Sequence, residues 1–151
     1  MELFGKNVDY EQIRNSNSYK KIKADLIKLG VKEDDTIMVH SSLSSMGHVE
    51  YGAITFILAL CDLLASKGTV LFPSFSYIEA NKNYEFSYLD NKCCVGLIPE
   101  TFRKLKNVIR SIHPTHSVCA FGKNAIEITK DHILDETPLG KNSPFQKLPE
   151  Y

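Results

Sequence analysis

The chain has 151 residues, of which 43% are hydrophobic and 24% charged, and its 18 basic and 18 acidic side chains balance to zero net charge. The length is that of one globular domain, and the neutral balance excludes a general nucleic-acid binder, which carries a basic surface. The longest apolar-rich run, residues 53–65, is too short to cross a bilayer, and the N-terminus lacks the pattern of a signal peptide. We therefore expect a cytoplasmic protein with neither a membrane nor a nucleic-acid partner.

The first half of the chain has a strand–helix–strand pattern. Residues 1–15 show no apolar period and are predicted to be a lead-in without regular structure. Apolar spacing predicts a helix over 18–29 and a second, largely buried helix over 51–66. Short β-rich runs at 36–40 and 69–72 flank the second helix. This order predicts an α/β fold with a parallel strand pair joined by a right-handed crossover.

The second half opens with residues 74–95, which show no period and are typical of a functional loop. Further elements are predicted after this loop. They are a helix over 96–105, a strand over 108–111, a turn at 113–116, a strand over 117–121, a helix over 124–131 and a short helix that Ser143 caps and Pro144 begins.

Two segments next to predicted strands carry candidate ligand-binding groups. The first is the serine loop, Ser41-Ser42-Leu43-Ser44-Ser45-Met46-Gly47, whose small residues would let backbone N–H groups approach an anion. The second is Arg110-Ser111-Ile112-His113-Pro114-Thr115-His116-Ser117, which combines groups that bind phosphate or act as a base. A helix-capping turn is the alternative for the first segment, and a hydrogen-bonded polar turn or a metal site for the second.

The remaining polar features are less specific. Glu79, Glu85 and Asp90 alternate with aromatic residues such as Tyr77, a composition that suits a cationic, sugar-like ligand but also a solvated loop. The cysteines at 61, 93, 94 and 119 are expected to be reduced thiols, although the adjacent pair also allows a redox or metal role. The isolated histidines at 48 and 132 are expected at the surface or at a helix end.

Five segments in order resemble the aminoglycoside 3-N-acetyltransferase family, also called the antibiotic N-acetyltransferases. They are VHSSLSSMG (39–47), GTVLFPSFSY (68–77), GLIPETFRK (96–104), IRSIHPTHSVCAFG (109–122) and TPLGKNSPFQKL (137–148). The resemblance implies a layered α/β sheet with helices on both faces. It also implies acetyl transfer from acetyl-CoA, without a metal, to the 3-amino group of a 2-deoxystreptamine aminoglycoside, and hence antibiotic resistance.

The same resemblance assigns roles to the candidate residues. Those expected on the acetyl-CoA side are Ser41, Ser42, Ser44, Ser45, Arg110, Ser111, His113, His116 and Ser117. Those expected to face the aminoglycoside, a polycation, are Tyr77, Glu79, Glu85 and Asp90. Direct transfer in a ternary complex requires no nucleophile from the enzyme, so none of the cysteines is needed.

The sequence departs from the family in one respect. Family members are longer, and their proposed catalytic histidine and its carboxylate partner lie in a Thr-Ser-x-His-x-x-Glu segment that residues 1–151 lack. We therefore expect the chain to be the N-terminal part of a single domain, with an incomplete fold and with its catalytic residues beyond Tyr151. The alternatives are an N-acetyltransferase for another small-molecule amine or amino sugar, or an inactive CoA-binding fragment.

Overall fold

The computed structural model describes residue 4 and residues 8–64, 67–77 and 86–151. Within these residues one mixed sheet contains the strands β1 (Thr36–Met38), β2 (Thr69–Pro73), β3 (Ile109–Arg110) and β4 (Val118–Gly122). Their spatial order is β1-β2-β4-β3, with β1 parallel to β2 and β4 antiparallel to both of its neighbours. The C-terminal ends of β1, β2 and β3 and the N-terminal end of β4 therefore lie at the same end of the sheet, here named its carboxyl end.

Helices cover both faces of the sheet, which confirms the predicted fold class. The helices are α1 (Tyr10–Asn15), α2 (Asn17–Lys28), α3 (Ala53–Leu64), α4 (Leu97–Phe102), α5 (Ala125–Thr129) and α6 (Pro144–Lys147). Val70, Phe72 and Cys119 pack on one face against α3 and α4. Leu71 and Ala120 pack on the other face against α5 and α6. This alternation has the period of two expected for strands that are buried on both sides.

Helix α3 connects the parallel strands β1 and β2, which confirms the predicted parallel pair and the helix between its strands. One side of α3 packs on the sheet, and its other side contacts α1 and α2 through Leu58 and Ala59, which meet Ile13 and Tyr19. Burial on both sides explains why the sequence of α3 is apolar at nearly every position. Neither α3 nor any other helix of the described residues is long and apolar enough to cross a membrane.

The first helices differ from the sequence prediction. Helix α2 begins at Asn17 because Ser16 caps it, with the Ser16 Oγ accepting a hydrogen bond from the backbone N–H of Tyr19 (3.2 Å). The predicted absence of regular structure in residues 1–15 is wrong for Tyr10–Asn15, which form α1. Asp9 caps α1 and Ile13 is buried. A helix of six residues is too short to show an apolar period, so its packing against α3 decides its structure.

A pair of glycines allows close backbone contact at the end of the sheet opposite the carboxyl end. Gly122 has a φ of +123°, and a Cβ atom there would lie 2.3 Å from the carbonyl oxygen of Gly68. A Cβ atom on Gly68 would in turn lie 2.3 Å from the carbonyl oxygen of Asp35. Side chains are therefore excluded where the chain enters β2 and leaves β4, and this contact supports the register of the two strands.

Candidate functional site

Polar segments from four parts of the chain meet at the carboxyl end of the sheet. The serine loop follows β1, residues 74–77 follow β2, and residues 111–117 connect β3 to β4. The pairing of β2 with β4 continues past the strands, because Ser74 N–H donates to the Ser117 carbonyl (2.8 Å) and Ser76 N–H to the Thr115 carbonyl (2.9 Å). Residues 93–96 join them, since Cys94 N–H donates to the Phe75 carbonyl (2.7 Å). The two segments singled out from the sequence thus share one end of the sheet, where α/β proteins bind ligands.

The serine loop forms one wall of an open groove of about 470 Å³. Its residues 43–46 make a 3-10 turn, and the Ser42 hydroxyl is hydrogen-bonded to those of Ser44 (3.1 Å) and Ser45 (3.0 Å). The other wall is formed by Val95, Gly96 and Leu97. The Ser41 hydroxyl is a buried polar atom without a hydrogen-bond partner among the described residues. The groove therefore has one hydroxyl-rich wall and one largely apolar wall, and the hydroxyl of Ser41 is buried in the first of them without a described partner.

Arg110 is almost fully buried, with 4% of its surface exposed. Its Nε donates to the Ser117 hydroxyl (2.8 Å), and its Nη2 donates to the Ser74 carbonyl (3.0 Å). Its Nη1 donates to the carbonyls of Asn91 (2.8 Å) and Tyr88 (3.2 Å). The guanidinium group is therefore bound by acceptors of the protein itself. This placement favours a structural role over the direct phosphate contact expected from the sequence.

His132 is fully buried, so its expected place at the surface is wrong, although it does begin a short 3-10 turn. Nε2 of His132 faces the carbonyl of Pro138 (3.3 Å), which can only accept a hydrogen bond, and this assigns the proton of the neutral ring to Nε2. Nδ1 therefore accepts a hydrogen bond from the Ser111 hydroxyl (2.8 Å), which in turn accepts the backbone N–H of Val118 (2.8 Å). Burial lowers the pKa of His132 to about 4, so the ring is neutral at pH 7.

His113 and His116 extend this histidine cluster towards the surface. The His113 ring stacks on His132 at 4.8 Å between centroids, and its Nδ1 accepts the backbone N–H groups of Thr115 (3.2 Å) and His116 (3.0 Å). The His116 ring lies 4.5 Å from the ring of Phe75. Burial lowers the pKa of both His113 and His116. Both rings are therefore hydrogen-bonding groups, not permanent positive charges, at neutral pH.

The residues expected to face the aminoglycoside are only partly within the described chain. Tyr77 is 45% exposed, and its ring lies 5.7 Å from that of His116, so it borders the carboxyl end. Asp90 is exposed and accepts a hydrogen bond from the Ser87 hydroxyl (2.6 Å). Glu79 and Glu85 lie outside the described residues. Contact of any of these side chains with a ligand remains a prediction.

Sequence reasoning missed several buried residues of the site, among them Ser74, Ser76 and His132. The run Pro73-Ser74-Phe75-Ser76 carried a usable signal, because the strand alternation continues past Pro73 with serines at every second position. Ser76 uses its hydroxyl to donate to the Pro114 carbonyl (3.0 Å). His132 carried no such signal, since its partners Ser111 and Pro138 form no distinctive spacing with it in the sequence.

The four cysteines are free thiols, as expected, and burial raises the pKa of Cys61 and Cys119 to about 12. Thiols with such pKa values are poor nucleophiles at neutral pH. Within the described ranges, no three His, Cys, Asp or Glu side chains are grouped so that they could hold a metal ion.

Comparison with known proteins gives a consistent result. The family model described as aminoglycoside 3-N-acetyltransferase matches residues 38–151. The SPbeta prophage-derived aminoglycoside N(3')-acetyltransferase-like protein YokD of Bacillus subtilis (strain 168) is 36% identical over 150 residues, covering 85% of this chain and 55% of that protein. Aminoglycoside N(3)-acetyltransferase VII of Streptomyces paromomycinus is 29% identical, with 85% and 50% covered. The chain thus spans about half the length of the curated relatives it matches.

Solved structures agree with the sequence matches. The crystal structure of YokD superposes with a TM-score of 0.79 at 34% identity, over 86% of this chain and 60% of that one. AAC-IIIb, solved as a binary complex with CoASH, has a TM-score of 0.76 at 30% identity, over 87% and 55%. The aminoglycoside acetyltransferase AAC(3)-IVa, solved in complex with a gentamicin, has a TM-score of 0.78 at 30% identity, over 87% and 50%.

Proposed function

Because the chain belongs to the aminoglycoside 3-N-acetyltransferase family, we propose that it forms the acetyl-CoA side of an enzyme that acetylates the 3-amino group of 2-deoxystreptamine aminoglycosides. The observation that carries this proposal is that the serine loop and residues 111–117 lie at the same end of the sheet, within the part of the chain that the family model matches. The relatives solved with CoASH and with gentamicin support the two substrate classes.

The reaction sets the requirements for this site. The neutral amine nitrogen attacks the thioester carbonyl, the carbon–sulfur bond breaks, and the sulfur leaves as a thiolate that is protonated to CoA thiol. A base must first take a proton from the ammonium form of the amine, and donors must stabilise the oxyanion of the intermediate. Since no covalent enzyme intermediate is formed, the buried cysteines have no part in the reaction.

We assign the CoA side to the groove beside the serine loop. Leu43, Val95 and Leu97 supply apolar surface for the pantetheine arm, and Gly96 lets a ligand approach the backbone. The Ser41 hydroxyl is buried and has no partner among the described residues, and we propose that it pairs with an amide of that arm when ligand binding exposes it. The hydroxyls of Ser42, Ser44 and Ser45 already bond to one another, and the Ser45 N–H donates to the Ser42 carbonyl (3.2 Å). We propose that the ligand uses the remaining lone pairs of these hydroxyls and the backbone N–H groups of Ser42 and Ser44.

The neighbouring segment contributes hydrogen-bond geometry. Ser111 and His113 are buried and use their polar atoms within the protein, so we assign them to supporting the turn. His116 is half-buried between Phe75 and the solvent-exposed Tyr77, and we assign it to the ligand-facing surface. No residue of this chain is assigned as the general base.

On the acceptor side, we propose that Tyr77 and Asp90 contact the aminoglycoside, together with Glu79 and Glu85. An exposed carboxylate attracts the ammonium groups of a polycation, and an exposed tyrosine ring offers a face for a sugar ring or a cation. The acidic composition of residues 78–90, with three carboxylates against Lys82, supports a cationic acceptor.

Calorimetric titration of the 151-residue chain with CoA tests the proposed cofactor side. We expect saturable binding that Ser41→Ala weakens about fivefold, the effect of one neutral hydrogen bond. Thr36→Val is the matched control, because it removes a hydroxyl from the opposite end of β1, where Thr36 accepts a hydrogen bond from Asn124. Binding that is absent, or equally weakened by both variants, would contradict the assignment of the groove.

Release of CoA thiol from acetyl-CoA in the presence of gentamicin tests the reaction, using the full reading frame that encodes these residues. We expect release to depend on the aminoglycoside. A faster reaction with another amine or amino sugar would replace the proposed acceptor, and binding of CoA without turnover on any amine would leave a CoA-binding protein in place of an enzyme.

A further inference from the structure

We infer that Arg110 is a positioning residue, which holds the turn formed by residues 87–91 at the carboxyl end of the sheet and thereby places Asp90 for the amine acceptor. The part of this inference that concerns the acceptor rests on the proposed function. The part that concerns the turn rests on the geometry alone.

The guanidinium of Arg110 connects three segments of the chain. It bonds to the end of β2 through the Ser74 carbonyl and to the start of β4 through the Ser117 hydroxyl, which itself donates to the Ser74 carbonyl (2.7 Å). Its Nη1 also donates hydrogen bonds to the carbonyls of Tyr88 and Asn91. The backbone N–H of Arg110 also donates to the Tyr88 hydroxyl (2.9 Å). One buried cation thus joins the sheet to a segment that has no strand or helix of its own.

The acceptors on the turn are backbone carbonyls, which makes the contact depend on conformation. The carbonyls of Tyr88 and Asn91 are three residues apart, and both face Nη1 only when the chain between them is folded back. The guanidinium also lies 5.0 Å from the centre of the ring of Phe86, the residue that precedes the turn. A lysine has a single ammonium group and cannot reproduce this planar set of donors.

The turn itself carries Asp90 in a defined position. The Asn91 side-chain carbonyl accepts the backbone N–H of Ser87, and Asn91 N–H donates to the Ser87 carbonyl (3.2 Å). The Ser87 hydroxyl donates to Asp90 (2.6 Å). Arg103 adds one contact from the end of α4, through Nη1 to the Leu89 carbonyl (2.8 Å). Asp90 is therefore an exposed carboxylate on a turn to which two arginines, Arg103 and Arg110, donate hydrogen bonds.

This arrangement differs from the role expected for Arg110 as a CoA ligand. Its guanidinium donates four hydrogen bonds to oxygen atoms of the protein, in Ser74, Tyr88, Asn91 and Ser117. Withdrawing them to reach a phosphate would leave buried carbonyls unpaired, which is costly. The effect of Arg110 on the reaction should therefore appear in acceptor binding, through the turn, and not in acetyl-CoA binding.

Hydrogen exchange of the 151-residue chain tests the positioning role without any ligand. In Arg110→Lys we expect the amides of residues 86–92 to exchange about tenfold faster, the effect of losing one or two charge-assisted hydrogen bonds. Arg14→Lys is the matched control, since Arg14 pairs with Asp62 in the helices and should leave these amides unchanged. Unchanged exchange at 86–92 in Arg110→Lys would overturn the inference.

A milder variant covers the case in which Arg110→Lys does not fold. Tyr88→Phe removes only the hydroxyl that accepts the Arg110 N–H, and we expect a severalfold faster exchange confined to residues 86–92. Exchange that is unchanged there, or faster throughout α3 and β2, would contradict the local role.

Steady-state kinetics of the full reading frame test the consequence for the acceptor. Arg110→Lys and Asp90→Asn should each raise KM for gentamicin about tenfold while KM for acetyl-CoA stays within about twofold. A larger rise in the acetyl-CoA KM would overturn the inference and restore Arg110 as a CoA ligand. If the unsubstituted enzyme acetylates no amine, the proposed function fails, whereas the exchange measurement still decides whether Arg110 fixes the turn.

Discussion

The outer helices and the carboxyl end of the sheet each depend on an arginine, but in different surroundings. Arg14 joins α1 to α3 through two hydrogen bonds to the Asp62 carboxylate (2.6 and 2.8 Å), beside a cluster of apolar residues that includes Ile13 and Leu58. Arg110 is surrounded by buried polar groups and binds carbonyl and hydroxyl oxygens. The buried polar residues of the carboxyl end are Ser74, Ser76, Arg110, Ser111, His113, Ser117 and His132.

This difference shows that the two regions are stabilised by different kinds of contact. Burial of polar side chains costs free energy unless each finds a partner, and hydrogen bonds between buried groups restrict their movement. At the carboxyl end the network holds three segments in fixed positions relative to one another. The helices instead gain stability mainly from apolar area, and the Asp62 carboxylate adds hydrogen bonds from Arg14 and Tyr19. The two regions should therefore respond to different perturbations.

The largest effect is expected from removing apolar volume between the sheet and its helices. Phe72 is fully buried and packs on Phe102 at 4.7 Å between ring centroids. Phe72→Ala should lower the free energy of unfolding by about 3–5 kcal/mol, measured by denaturant titration. Ile126→Ala, at an exposed position of α5, is the control and should change it by less than about 0.5 kcal/mol. Similar values for both variants would show that this cluster is not the core.

Much of this apolar framework could be predicted from sequence, because its periodicities are local. The continuous apolar run of β2 and the all-round apolar character of α3 identify the crossover without any tertiary information. The antiparallel direction of β4 has no local signature, since it depends on the path of residues 111–117. β3 has only two residues, Ile109 and Arg110, and such a short strand is defined by its pairing alone.

The carboxyl end should respond most to pH. The folded pKa of His132 is about 4, below the ordinary value of 6.5, so the unfolded chain binds the proton first as the pH falls. The stability contributed by neutral His132 is thus complete above pH 6.5 and decreases towards pH 4, by about 2 kcal/mol between pH 7 and pH 5. The lowered pKa values of His113 and His116 act in the same direction.

Denaturant titrations at several pH values check this expectation. His132→Gln should be less stable at pH 7, because its contacts with Ser111 and Pro138 are altered, but its stability should change less between pH 7 and pH 5. His48→Gln, which replaces an exposed histidine, should keep the pH dependence of the unsubstituted chain. An equal pH dependence in all three proteins would contradict the assignment of a neutral, buried His132.

The candidate site was only partly predictable, and for a physical reason. Residue types and spacing indicated the serine loop and residues 110–117, because small hydroxyl residues, histidines and arginine are chemically distinctive. The partners of Arg110 at positions 74, 88 and 91 include backbone carbonyls, which any residue type supplies, so sequence alone could not distinguish a buried positioning arginine from one that binds a ligand.

A smaller effect is expected from the ion pair of the helices. Burial alone would raise the pKa of Asp62, but hydrogen bonds from Arg14 and Tyr19 outweigh it and leave this pKa below its ordinary value of 3.8. The stabilisation by the Asp62 carboxylate is therefore complete above that ordinary value and is lost as the pH falls through the lower folded pKa.

Asp62→Asn should lower the free energy of unfolding by only about 1–2 kcal/mol at pH 7, because Arg14 is partly exposed and solvent screens the ion pair. The difference in free energy of unfolding between Asp62→Asn and the unsubstituted chain should decrease only in strong acid. The corresponding difference for His132→Gln should already change between pH 7 and pH 5. If the stabilisation by Asp62 were already lost at pH 5, the outer helices and the carboxyl end would respond to pH in the same way, and the proposed difference in their polar pairing would be wrong.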